Sequence, residues 1–406
     1  MRGPSVTVAF LQAGLLAQTF IVDAGNGPGT SFTSLVAAAA AVPDGAILLV
    51  RAGAYAGFQS AAKGLVVLGE PGVTITGAIQ LGPTSAAQAI VLRDLDWAVP
   101  TTSQTTLVTL TRCDGPVLLE RITTPAYPCG LGPATNCAIA LSAESCRQLA
   151  VRDCTLHGGV ELWKSLNQVL PRNATSFEHC VLVGHGAPET LQVSPALHAG
   201  NTDVEITSSI LNGGDGSGTF PAIFSFNASA ITVSAAQYAT SLRVLDSTIT
   251  GGLNPSTPSY AVEGHPGEQA TLRVDPGSGL TGVTASTNHI TAQSLVMPRL
   301  TATSAAPGGT LTAVTSTENG DFVALAIGLR ATPTMLPGFA DAFWLDPLAH
   351  ATVAIGVQQN GASVGGAVQV PNASGFVGLQ LAWHAVCFGP VTGQQNSNPA
   401  ISLIHG

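Results

Sequence analysis

Seven short segments of this chain repeat one pattern, and that repetition limits the fold more than any other feature. They read VVLGEPGVTI (66–75), VLRDLDWAV (91–99), LLERITTPA (118–126), AVRDCTLHG (150–158), SFEHCVLVG (176–184), EITSSILNG (205–213) and RVLDSTITG (243–251). Each runs apolar residues into two polar ones, then a small or apolar residue, then a second apolar stretch ending near glycine. The aligned position recurs at residues 93, 120, 152, 178, 207 and 245, in steps of 27, 32, 26, 29 and 38 residues. A constant strand with elastic connections is what a coil of parallel strands shows, because insertions leave at the corners without disturbing the stack.

The register carries a second expectation. Equivalent residues of successive coils lie about 4.8 Å apart, so stacked like charges repel and opposite ones attract. The first turn column reads Arg93, Glu120, Arg152, Glu178 and the next reads Asp94, Arg121, Asp153, His179. Both alternate in sign. Taken as solvent-exposed pairs, each is worth under about 1 kcal/mol, so these ladders specify register more than they stabilise.

The following column is Leu95, Ile122, Cys154, Cys180, Ser209, Ser247, small or apolar as an inward stack requires. It makes Cys154 and Cys180 neighbours, and the same register sets Cys113 over Cys146. Cys129 and Cys137 bracket the loop CGLGPATNC. Three disulfide candidates result, with buried free thiols as the alternative for the two stacked pairs, and Cys387 is left over.

Composition agrees with many short strands and turns. Of 406 residues 45% are hydrophobic and 9% charged, with 46 Gly and 26 Pro. A net charge of −9 with two lysines, Lys63 and Lys164, argues against nucleic acid or an anionic membrane as partner. The opening MRGPSVTVAFLQAGLLAQTF has the order of a secretory signal, assigned to 1–19, with a first buried strand as the alternative. No later stretch is long and apolar enough to span a membrane.

Upstream of the repeats, FIVDAGNGPGTSFTSLVAAAAAVPDGAILLVRAGAYAGF resembles the start of right-handed parallel β-helix proteins of the pectin-lyase-like superfamily. The resemblance implies a first strand at Phe20–Asp23, a capping helix over Phe32–Val42 and a single-stranded solenoid over 20–294. It implies little about activity, since that superfamily holds lyases, hydrolases, esterases, adhesins and non-catalytic surface proteins. From Met297 the rung spacing stops and alternating strands with PG, NG and GG turns predict a C-terminal antiparallel β-sandwich over 297–406. The ending VPNA…GLQLAWHAV…SNPAISLIHG resembles C-terminal domains of exported proteins of planctomycete-type bacteria. Two ordinary β-sandwiches are the competing fold.

Chemistry is thin by comparison. GHG (184–186) and NTD (201–203) occur in polygalacturonases, but here in reversed order and without a DD pair. A uronate lyase needs clustered acids and a basic residue; Asp153, Glu161, Glu178, His185, Glu189 and Asp203 are the candidates, with Arg152 or Lys164 as base. GDGSGTF (214–220) lacks the context of a hydrolase nucleophile and offers calcium only Asp215. No metal or cofactor is implied. Trp97 and Trp163 are candidate platforms for a sugar ring. The expected function is an exported, monomeric, non-catalytic β-helix at the cell surface or outside it, binding a polysaccharide or surface glycan. A polysaccharide lyase or glycoside hydrolase is the alternative, and convergence of three of those acidic or histidine side chains in one groove would favour it.

Overall fold

The computed structural model describes residues 18–98, 106–126, 139–163, 173–184, 194–214, 231–234, 240–252, 259–264, 270–339, 342–359, 361–390 and 393–406. They form two compact units, one of Gln18–Ser294 and one that includes Leu295–Gly406. The first is a parallel β-helix, all of whose strand pairs are parallel and join successive coils, and right-handed as crossovers between parallel strands nearly always are.

Each coil contributes to three faces. The long-strand face carries Ala46–Val50, Leu65–Gly69, Ile90–Trp97, Pro116–Thr123, Gln148–Arg152, Asn173–Glu178, Thr202–Thr207 and Thr240–Leu245. The chain then turns one corner into short strands such as Thr155–His157, Val181–Val183, Ile210–Asn212 and Thr248–Thr250. The third face is a nine-stranded sheet including Val108–Thr111, Leu141–Glu144, Val160–Trp163, Leu197–Gly200 and Ile231–Ser234. Alternation within the strands sends Leu48, Val67, Leu92, Leu119, Val151, Phe177, Ile206 and Val244 into one continuous lumen.

The first strand is Thr19–Val22, pairing from Thr19↔Ile47, so residue 19 belongs to the sheet. The N-terminal helix is shorter than its expected span, Leu35–Ala41, and buries Leu35, Ala38 and Ala39 in the lumen core. Its open carbonyls at the C-terminal end meet a cation: Lys63 Nζ donates to Ala39 O at 3.1 Å, Ala40 O at 3.0 Å and Val42 O at 2.7 Å.

The corner between the first two faces is a single residue in the left-handed region. Asp94, Arg121, Asp153, His179, Ser208 and Asp246 have φ of 57, 51, 53, 54, 49 and 45°. The residue before it is therefore still in the sheet, which corrects the reading of Arg93, Glu120, Arg152 and Glu178 as exposed. All four are buried, Glu120 completely at 0%. They stand in register, Arg93↔Glu120↔Arg152↔Glu178. Arg93 Nε lies 3.7 Å from Glu120 Oε2, and Arg152 Nη2 donates to Glu120 Oε1. The corner column outside stays in water: Arg121 pairs with Asp94, and His179 Nδ1 is 3.5 Å from Asp153 Oδ1.

The column after the corner turns inward and closes a hydrogen-bond chain. Cys180 N–H donates to Ser209 Oγ (3.0 Å), Ser209 N–H to Ser247 Oγ (3.0 Å) and Ser247 N–H to Ser278 Oγ (3.1 Å). Each hydroxyl or thiol donates back across its own corner: Cys154 to Arg152 O, Cys180 to Glu178 O, Ser209 to Thr207 O and Ser247 to Leu245 O. The thiols do a serine's work. The disulfide expectation for the stacked pairs is accordingly corrected, for Cys113, Cys146, Cys154 and Cys180 are all free and buried. Parallel strands hold Cα–Cβ bonds parallel about 4.8 Å apart, beyond the 3.5–4.5 Å that a disulfide needs between Cβ atoms. Cys129 and Cys137 lie outside the described residues.

In the second unit a three-stranded antiparallel sheet (Arg299–Ala302, Thr310–Ser316, Val364–Gln369) and a larger antiparallel sheet built on Phe322–Met335, Ala342–Val357 and Gln380–Gly389 share one apolar core. Val323, Leu325 and Ile327 meet Cys387, Ala385 and Trp383 within it. Asn398 behaves as a piece of strand, its Oδ1 accepting Leu300 N–H at 2.7 Å and its Nδ2 donating to Leu300 O at 2.8 Å.

Burial changes the energetics of the inner ladder. A double-mutant cycle of Glu120→Gln and Arg152→Met is expected to give a coupling energy of about 1–3 kcal/mol in denaturant unfolding. A value below about 0.5 kcal/mol would mean that the pair is screened as on a surface.

Candidate functional site

The ladder residues leave little for chemistry on the long-strand face. Asp153 and Glu178 are engaged in ion-pair columns, and Asp203 Oδ1 accepts Ser241 N–H at 3.2 Å. Burial pushes the Asp153 carboxyl up, but His179 and the Arg152 and Arg121 charges outweigh it and hold the carboxyl below its ordinary value. Glu161 stands on the nine-stranded face, in another sheet. The structure therefore does not bring Asp153, Glu161, Glu178 and Asp203 into one groove. His185, Glu189, Lys164 and Asp215 lie outside the described residues. Among the described residues no three His, Cys, Asp or Glu side chains group to hold a metal ion.

The two tryptophans part company. Trp97 is buried, and its Nε1 donates to Gly77 O at 2.9 Å. Trp163 is 50% exposed. Glycosylation-type Asn-x-Ser/Thr sequences occur at 173–175, 227–229 and 372–374; Asn173 is buried in a strand, Asn227 lies outside the described residues and Asn372 is exposed.

Trp163 identifies the nine-stranded face as the place to look. Its strand reads Val160-Glu161-Leu162-Trp163, buried and exposed by turns, so Val160 and Leu162 fill the lumen while Glu161 and Trp163 point outward. The strand register extends Glu161 into a column: Gln59, Gln80, Thr109, Ser142, Glu161, His198, Thr232, Glu263, Asn288. A parallel column places Thr111, Glu144, Trp163, Gly200 and Ser234 beside it. Gly200 carries no side chain, so the indole is not crowded from that strand.

This face differs from the ladder face in kind. None of its nine strands contains a lysine or arginine. Its column is made of amides, hydroxyls, one imidazole and carboxylates, all able to hydrogen-bond a polyhydroxylated ligand. Asn288 Nδ2 donates to Glu263 Oε1 at 3.2 Å. Glu161 has no hydrogen-bond or ion-pair partner among the described residues; the protein crowded around it pushes its carboxyl above the ordinary value, although the side chain remains open to solvent.

Sequence reasoning singled out Glu161 and Trp163 separately and passed over His198, Glu144 and Glu263. Burial pushes the Cys387 thiol up to about 12, and burial together with its neighbour Cys154 pushes Cys180 well above the thiol range, so neither of these two is an available nucleophile.

No protein-family model matches the chain, and no curated protein matches it. Among solved structures it is similar to full-length tailspike protein 2 of Escherichia coli O157:H7 bacteriophage CAB120, at 12% sequence identity and a TM-score of 0.23. The match covers 88% of this chain and 64% of the tailspike chain, less than two thirds of its length.

A raised carboxylate value means that the fold prefers Glu161 protonated. That preference is complete below the unfolded-state value and is lost as pH rises through the folded-state value. Glu161→Gln should thus raise the thermal midpoint at neutral pH slightly, by about 1 °C for so exposed a group, and the gain should vanish in acid well below the carboxylate range. Thermal unfolding of both proteins at the two pH values checks this; a less stable variant at neutral pH would reveal a stabilising partner for Glu161.

Proposed function

We propose that the protein is an exported β-helix that binds carbohydrate on its nine-stranded face and catalyses no reaction there. The observation that carries the reading is Trp163, half exposed on a flat sheet beside a column of hydrogen-bonding side chains. An indole face stacks on the C–H surface of a sugar ring, while amides, hydroxyls and carboxylates spaced about 4.8 Å apart along the column can take up ring hydroxyls in turn. Sites of this kind pair an apolar surface with a few placed polar groups. Export is supported by the apolar N-terminal segment and by the resemblance of residues 20–58 to pectin-lyase-like proteins. No helix among the described residues is long and apolar enough to cross a membrane.

One observation favours the second reading, a polysaccharide-cleaving enzyme. A carboxyl raised above its ordinary value is what a general acid requires, and Glu161 has one, with His198 in register on the next strand.

A panel of soluble neutral, acidic and amino-sugar oligosaccharides, titrated calorimetrically against the full chain, tests both. Trp163→Ala is expected to weaken the best ligand by about tenfold or more without moving the thermal midpoint. New reducing or unsaturated ends that disappear in Glu161→Gln would replace the binding reading with the enzymatic one. Unchanged affinity in Trp163→Ala would remove this face from the function.

A further inference from the structure

The charge around Trp163 narrows the ligand. Its strand register sets Glu144 directly beside it, and Glu161 precedes it by two residues on the same side of the sheet. Neighbouring strands lie about 4.8 Å apart and alternate residues of a strand about 7 Å, so both carboxylate-bearing residues flank the indole. Glu161 is engaged by no described residue. No lysine or arginine occurs in any strand of the face, and the whole chain carries −9. Lys164 follows Trp163 directly in the chain and lies outside the described residues; Arg112, exposed at the corner after Val108–Thr111, forms no ion pair among the described residues.

An acidic sugar polymer meets the Glu144 and Glu161 carboxylates on either side of the indole and is repelled by them. A neutral one leaves two carboxylates with weak partners. A cation is matched twice over, by the negative face of the indole ring and by the flanking carboxylates. Building on the carbohydrate-binding reading above, we infer that this face recognises a polymer of cationic amino sugars, with the ammonium of one residue held between Trp163, Glu144 and Glu161. The occupant follows from charge complementarity: stacking alone accepts many sugars, while an aromatic ring between two acids discriminates by charge. His198, in register with Glu161, adds a further hydrogen-bonding group to the column.

The probes are glucosamine oligomers, N-acetylglucosamine oligomers of equal length and galacturonate oligomers, titrated into the full chain at mildly acidic pH and low salt. The expected result is at least tenfold tighter binding of the glucosamine oligomer than of its acetylated counterpart, and no binding of the galacturonate. The double variant Glu144→Gln, Glu161→Gln should lower the glucosamine affinity to the acetylated level and leave the acetylated affinity unchanged. Trp163→Ala keeps every charge, so it separates the site from bulk attraction by a negative protein: retention of full glucosamine binding in that variant overturns the inference. Equal or tighter binding of the acetylated or acidic oligomers overturns it too, while leaving carbohydrate binding intact. Failure of all three probes, and of the wider oligosaccharide panel, removes both readings together.

Discussion

The structure depends on one backbone torsion repeated coil after coil. In six successive coils, from Asp94 to Asp246, a single residue on the long-strand face enters the left-handed region, and this one-residue corner swings the chain onto the next face. L-residues with a Cβ enter that region at a cost, and among the occupants Asp94, Arg121, Asp153, His179, Ser208 and Asp246 the aspartates and the histidine are the types that bear it best. The cost is tolerated because the corner fixes phase. With a period of two, slipping by one residue would turn every lumen side chain outward. A corner that admits one residue does not allow the slip.

From that constraint the two ladders follow, and with them the odd economy of the sequence. The residue before the corner faces out of the sheet but is buried, so a charge there needs its opposite on the neighbouring coil; Arg93, Glu120 and Arg152 supply it. The residue after the corner faces in, where the preceding coil's backbone N–H needs an acceptor; Ser209, Ser247 and Ser278 supply that. Cysteine can take the inner position because a thiol donates to the same carbonyl that a serine hydroxyl reaches. A charged residue near a corner is thus first a register device. That is why the acids that look catalytic in a linear reading, Asp153 and Glu178, are the ones already committed.

How much of this was legible follows from where the sequence carries redundant signal. The long-strand face repeats a distinctive turn, so its columns can be aligned by eye and Arg93, Glu120, Arg152 and Glu178 found in register. Their burial could not be read, because a sequence shows two polar residues at a turn and not that only the second leaves the sheet. For the stacked cysteines the sequence left bridge and free thiol both open, because stacking says which residues are neighbours but not which way their Cα–Cβ bonds point; the structure has the free thiols. The nine-stranded face was invisible. Its strands are four residues or fewer in many coils, as in VELW and LHAG, and connections of unequal length hide their phase. Glu161 and His198 are 37 positions apart in the chain and in register on adjacent strands only once the coil is closed.

The contrast between the faces also locates the chain's freedom. On the long-strand face a change of charge is felt by the coil above and the coil below, so variation there is coupled and costly. On the nine-stranded face side chains answer to solvent, and Glu161 even sits at a cost to stability, with its anion disfavoured by its surroundings. A half-exposed indole, and a carboxylate with no partner among the described residues, stabilise nothing that the fold requires. Residues that a fold would be better without are kept where something outside the fold uses them, and that is the physical argument behind assigning the acidic residues around Trp163 to the proposed ligand rather than to the fold.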